Sequence, residues 1–124
     1  MKFYQEAFEI YKDDFLIDDL NNNWIINERE RLEKKYINIS EKLMKYYYNI
    51  GKYEESIEIA DQILTKNKYI EPAYLYKIMS YDQLGKKALA ITTYESCKRI
   101  LAEELDITPN QELKKYYKYL KIAD

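Results

Sequence analysis

The chain has 124 residues, 47% of them apolar, and carries a formal net charge of −2. That length and apolar content suffice for one packed domain and argue against wholesale disorder, while the near-neutral balance lacks the basic excess of a domain that holds duplex DNA through its phosphates. The absence of histidine, the single cysteine (Cys97) and the two glycines exclude His-based triads, Cys/His zinc sites, an internal disulfide and a glycine-rich phosphate loop.

The charge is uneven: residues 1–30 have a local net of −5, which leaves +3 for the rest. No run is long and apolar enough to span a membrane, and the N-terminus shows no signal-peptide pattern. With one thiol, this points to a cytoplasmic protein without cofactor or metal.

In chain order, residues 3–12 read as a short helix with Phe3, Ala7 and Ile10 or Tyr11 inward. Two aspartate pairs, Asp13-Asp14 and Asp18-Asp19, then flank Phe15-Leu16-Ile17. A paired-carboxylate site needs both acids converging in a cleft. A connector anchored by Phe15 and Leu16, with its aspartates in water, accounts for the pattern more simply. The spacing also lacks the glycine and terminal glutamate of an EF-hand loop.

Asn23 is the expected N-cap of a long helix from Trp24 to Ile50, about 40 Å at 1.5 Å per residue. Its stripe Leu32, Tyr36, Ile39, Leu43, Tyr46, Ile50 steps by four and three, which predicts one buried face. Further helical stripes follow: Tyr53, Ile57, Ala60 and Leu64; Tyr74, Ile78 and Tyr81; Ala90, Tyr94, Cys97, Leu101 and Leu105; and Leu113, Tyr117 and Leu120. Gly51 and Gly85 stand at helix ends and Pro72 at a helix start. Thr108-Pro109-Asn110-Gln111 predicts a capping box with Pro109 at the first helical position. No segment alternates as a strand does, so the fold class is all-α, with about six helices.

An offset of 34 residues relates Gly51 to Gly85, Met44 to Ile78, Tyr47 to Tyr81, Ser56 to Ala90 and Ile63 to Cys97. That is the tetratricopeptide period, in which antiparallel helix pairs stack on one another. Small residues at Ser56, Ala60, Ala90 and Cys97 permit close helix approach. The predicted architecture is a TPR-like stack of helix pairs.

These residues resemble the bacterial transcriptional activator domain, the TPR-like module that follows a winged-helix domain in antibiotic-regulatory activators and some response regulators. The resemblance runs in order through Asp14-Phe15-Leu16, Trp24, and Glu28-Arg29-Glu30-Arg31-Leu32. It continues through Gly51, Tyr53, Glu54, Glu55, Glu71, Ala73, Gly85, Ala90 and Tyr94. It closes on Leu101, Glu103, Glu104, Leu105, Pro109, Glu112 and Leu113. Asp13 stands where the family commonly has glycine, Ser56 where it has alanine, and Lys68 where a proline often closes the repeat.

The resemblance implies a single domain over residues 1–124, a fragment without the family's first helix, with DNA reading done by sequence outside this chain. It implies a non-enzymatic role in protein–protein contact: dimerisation, coupling of signal input to a DNA-binding domain, or recruitment of transcription machinery. The alternative is a stand-alone TPR adaptor that grips a peptide or helix of a partner. By the same resemblance the partner groove would carry Asn38, Glu41, Lys42, Lys45, Tyr48, Leu75, Tyr76, Met79 and Gln83. Three further features have simple structural readings. Cys97 is expected as a buried small hydrophobe, Arg29 and Arg31 as part of a solvated ion-pairing face, and "KKYYKYLK" (residues 114–121) as the outside of a terminal capping helix.

Overall fold

The computed structural model describes residues 19–122, in which every regular element is an α-helix. These are α1 (Asp19–Asn49), α2 (Tyr53–Lys66), α3 (Glu71–Gln83), α4 (Lys87–Leu105) and α5 (Gln111–Ile122). Consecutive helices from α2 onward pack together, and α5 also reaches α3. The all-α expectation therefore holds, with five helices described. The helix expected over residues 3–12, Asp13, Asp14 and Asp18, and the anchors Phe15 and Leu16 lie outside the described residues, while Asp19 opens α1.

The chain divides into two compact units, Met1–Ile39 and Ser40–Asp124. In the first, the described part is residues 19–39 of α1. Leu32 and Ile37 are buried there, Trp24 is 39% exposed, Arg29 is exposed, and the Arg31 guanidinium pairs with the Glu28 carboxylate.

Asn23 is not a cap, because the helix is already formed at Asp19. The asparagine run lies inside it: an uninterrupted i→i−4 ladder outweighs the weak local preference of Asn for caps.

In the second unit the repeat sets the packing. Both glycines take left-handed φ, +83° at Gly51 and +75° at Gly85. Each closes its turn with the same pair of bonds: the Lys52 and Lys86 amides donate 2.8 Å to the Tyr47 and Tyr81 carbonyls, and the glycine amides donate to Tyr48 and Asp82. This is the Schellman arrangement that a residue without Cβ allows without strain. Three of the pairs related by 34 residues are sealed: Met44, Ser56, Ile63, Ala90 and Cys97 are 0% exposed and Ile78 is 1% exposed, while Tyr47 and Tyr81 are half-buried. The Ser56 hydroxyl donates 3.0 Å to the Met44 carbonyl and ties α2 to α1.

The core joins Tyr74, Ile78, Ala90, Tyr94, Cys97, Leu101, Leu113 and Leu120. Tyr117 stacks on Tyr94 at 4.0 Å and fixes α5 against α4. Lys77 pairs with Asp61 at 2.7 Å across α2 and α3. The α2–α3 connection is held to α4, where Glu104 accepts from Lys68 Nζ (2.9 Å) and the Tyr69 hydroxyl (2.6 Å). The Tyr74 hydroxyl donates 2.7 Å to the Lys68 carbonyl of the same connection.

Three expectations are corrected. On α1 the buried face of the second unit runs through Ser40 and Met44, whereas Ile39, Leu43, Tyr46 and Ile50 are 52%, 39%, 56% and 48% exposed. The helix carries two apolar faces, and spacing alone cannot choose between them; the repeat correspondence of Met44 with Ile78 does.

The last helix is capped by Asn110, not Thr108. The Asn110 Oδ1 accepts the Leu113 amide at 2.9 Å, and Pro109 is buried ahead of the helix. The Asn110 amide donates 2.7 Å to Glu71, which secures the loop to α3 and shifts the helix start. Leu105, at the end of its helix, is 43% exposed because the chain leaves through Asp106, a left-handed residue at φ 54°.

Candidate functional site

The second unit brings α1, α3 and α5 together around a group of tyrosines. On α1, Lys45 and Tyr48 are three residues apart and share a face. Tyr48 meets Tyr76 of α3 edge-on, with ring centroids 5.4 Å apart and planes at 89°. The ammonium of Lys45 lies 5.9 Å from the Tyr76 ring centroid, within cation–π reach. The Gln83 side chain lies close enough to the Tyr48 hydroxyl to influence its ionisation, and Tyr53, at the start of α2, packs against the Tyr48 ring at 5.3 Å.

The third wall comes from α5. The Tyr116 hydroxyl donates 2.6 Å to the Asp82 carboxylate of α3, and Tyr119 packs against Tyr116 at 5.4 Å. Tyr48 lies close enough to Tyr116 to affect its ionisation.

Burial raises the Tyr48 phenol above its usual value, with the neighbouring Tyr53 adding to the shift. Burial raises Tyr116 as well, reinforced by the hydrogen bond and negative charge of Asp82. Both hydroxyls therefore stay protonated at neutral pH; the Tyr116 proton is committed to Asp82. The surface offers aromatic faces and edges, a side-chain amide, an ammonium and phenolic hydroxyls. That is a chemistry of stacking and hydrogen bonding.

Of the residues expected in the groove, Lys45, Tyr48, Tyr76 and Gln83 converge. Lys42 and Asn38 are exposed, and Glu41 and Met79 are half-buried. Leu75 turns away, half-buried against the core cluster, which explains its apolar character without a partner. Tyr53, Asp82, Tyr116 and Tyr119 belong to the site and were not expected there. The 34-residue offset maps Tyr48 onto Asp82 and held the signal for that residue; Tyr116 and Tyr119 lie beyond the two repeats and had none.

The remaining chemistry is quiet. Cys97 is buried, and burial pushes its thiol up to about 12, with Glu71 adding to the shift. Among the described residues no group of His, Cys, Asp and Glu is arranged to hold a metal ion. None of the described helices is long and apolar enough to cross a membrane.

No curated protein and no solved structure matches the chain. A family does: the bacterial transcriptional activator domain matches residues 1–121. With the fold and repeat register in place, the chain belongs to the bacterial transcriptional activator domain family.

Proposed function

We propose that this chain is a cytoplasmic, non-enzymatic interaction domain of a transcriptional regulator, and that its tyrosine-lined groove takes a segment of a protein partner. The observation that carries the reading is the convergence of Lys45, Tyr48, Tyr76 and Gln83 with the Asp82–Tyr116 pair from three helices. A groove of rigid aromatics with protonated hydroxyls offers large contact area at low entropic cost and donors for a peptide backbone. Its titratable tyrosines are shifted away from neutral pH, where proton-transfer catalysis would need them. Membership of the activator family supplies the regulatory setting, and DNA reading is assigned to sequence outside the chain.

Gln83 and Lys45 are exposed, so changing them perturbs the groove with little effect on the fold. In the native regulator, Lys45→Glu with Gln83→Glu is expected to reduce reporter transcription about tenfold, equal to ~1.4 kcal/mol of contact energy. Thermal stability of the chain should stay unchanged. Light scattering assigns the partner: a dimer that the double variant dissociates identifies a second copy, and a monomer identifies another protein. Wild-type transcription from the double variant would refute the groove.

A further inference from the structure

Helix α5 has a side that neither the core nor the groove uses. Leu113 and Leu120 are 0% and 1% exposed, and Tyr117 is stacked on Tyr94, so the rotation of the helix about its axis is fixed. That rotation puts Lys115 and Lys118 in solvent and Lys114 half-buried beside them. Lys121 follows one turn later, its ammonium 5.2 Å from the Tyr117 ring centroid. At 1.5 Å rise per residue, Lys114, Lys115 and Lys118 fall within about 6 Å along the axis.

Lys114, Lys115 and Lys118 take no part in the salt bridges Arg31–Glu28, Lys68–Glu104, Lys77–Asp61 and Arg99–Glu103. The acidic side chain on α5 itself is Glu112, in its first turn, and Asp82 opposite is engaged by Tyr116. Four lysines against the single Glu112, three residues before Lys115, thus concentrate positive charge on one side of one helix despite the chain's net charge of −2.

We propose that this lysine ridge contacts the phosphate backbone of duplex DNA and adds a weak, sequence-independent attachment beside the groove. Lysine ammoniums that neutralise phosphates gain affinity by releasing condensed counterions, and the gain grows with the linear charge density of the partner. A duplex carries one charge per roughly 1.7 Å of axis. An acidic peptide held extended by its own repulsion carries one per roughly 3.3 Å. The choice of DNA also rests on the regulatory reading, which keeps a duplex near the chain. Three phosphate contacts predict that log affinity falls with log salt with a slope of about −2.7, or about 40-fold weaker binding between 20 and 80 mM salt.

The test is a titration of the chain with a 20-base-pair duplex of arbitrary sequence, followed by amide chemical shifts and by anisotropy across that salt range. Shifts confined to α5 and a slope near −2.7 are expected. The triple variant Lys114→Gln, Lys115→Gln, Lys118→Gln keeps helix propensity and the buried leucines. It should lose the slope and at least tenfold in affinity at 20 mM salt, with unchanged circular dichroism. Absence of α5 shifts at 20 mM salt overturns the proposal, as does a salt slope that survives the triple variant. Equal binding of an extended polyglutamate peptide of the same charge also overturns it, by identifying an acidic protein partner. A failed groove test would not alter this salt slope, so the two outcomes remain distinguishable.

Discussion

Ser80 and Ser56 are both 0% exposed in the second unit, and they make opposite predictions for the same substitution. Ser56 donates to the Met44 carbonyl, whereas the Ser80 hydroxyl has no hydrogen-bond partner. A buried hydroxyl without a partner costs about 1–3 kcal/mol of lost hydration. Ser80→Ala removes that penalty and adds about 0.5 kcal/mol of helix propensity. Against this stands the loss of a few tenths of a kcal/mol in dispersion from one oxygen. The net expectation is a gain of about 1–3 kcal/mol, read as a urea midpoint higher by about 0.5 M or more with the slope unchanged. Ser56→Ala forfeits a bond with a net contribution of about 0.5–1.5 kcal/mol and recovers about 0.5 kcal/mol in propensity. It should be neutral to about 1 kcal/mol destabilising, even though alanine occupies the corresponding position at Ala90. Urea unfolding by far-ultraviolet circular dichroism compares the two directly. A destabilising Ser80→Ala, or shifts of the same sign and size for both variants, would refute the reasoning.

Gly85→Ala meets no atom within 4 Å of the added Cβ, so its cost is the positive φ alone. A loss of about 1 kcal/mol is expected in the same urea assay. Tyr116→Phe removes a donor from the half-buried Asp82 carboxylate; a loss of about 1 kcal/mol is expected, and an unchanged midpoint would mean that water replaces the bond. The folded-state pKa values of Cys97 and Tyr74 are both raised to about 12, from 9.0 and 10.0. Above pH 9 the unfolded chain releases these protons first, so stability should fall between pH 9 and 12 and be insensitive to either group below that window. Cys97→Ala should weaken the fall, and alkylation of the native thiol at pH 8 should be far slower than in urea.

Much of the fold was legible because it depends on local chemistry repeated along the chain. Gly51 and Gly85 announce left-handed turns, and their spacing sets the register that buries Met44 with Ile78 and Ser56 with Ala90. Lys45, Tyr48, Tyr76 and Gln83, expected on one face from the family resemblance, do lie together. Leu75 could not be placed, because a half-buried leucine looks the same in sequence whether it faces a partner or its own core.

By itself, then, the sequence determined the helical class, the turn positions, the repeat register and the family. Each follows from backbone preferences and spacings that act within a few turns of helix. Tertiary structure decided which apolar face of α1 is buried, that Asn110 rather than Thr108 caps α5, and that Asp82 and Tyr116 meet between α3 and α5. It also set the rotation of α5 that puts Lys115 and Lys118 in solvent. The physical reason is the same throughout. These outcomes depend on which side chains distant in sequence compete for the same volume and the same hydrogen bonds, and that competition arises only once the helices are packed.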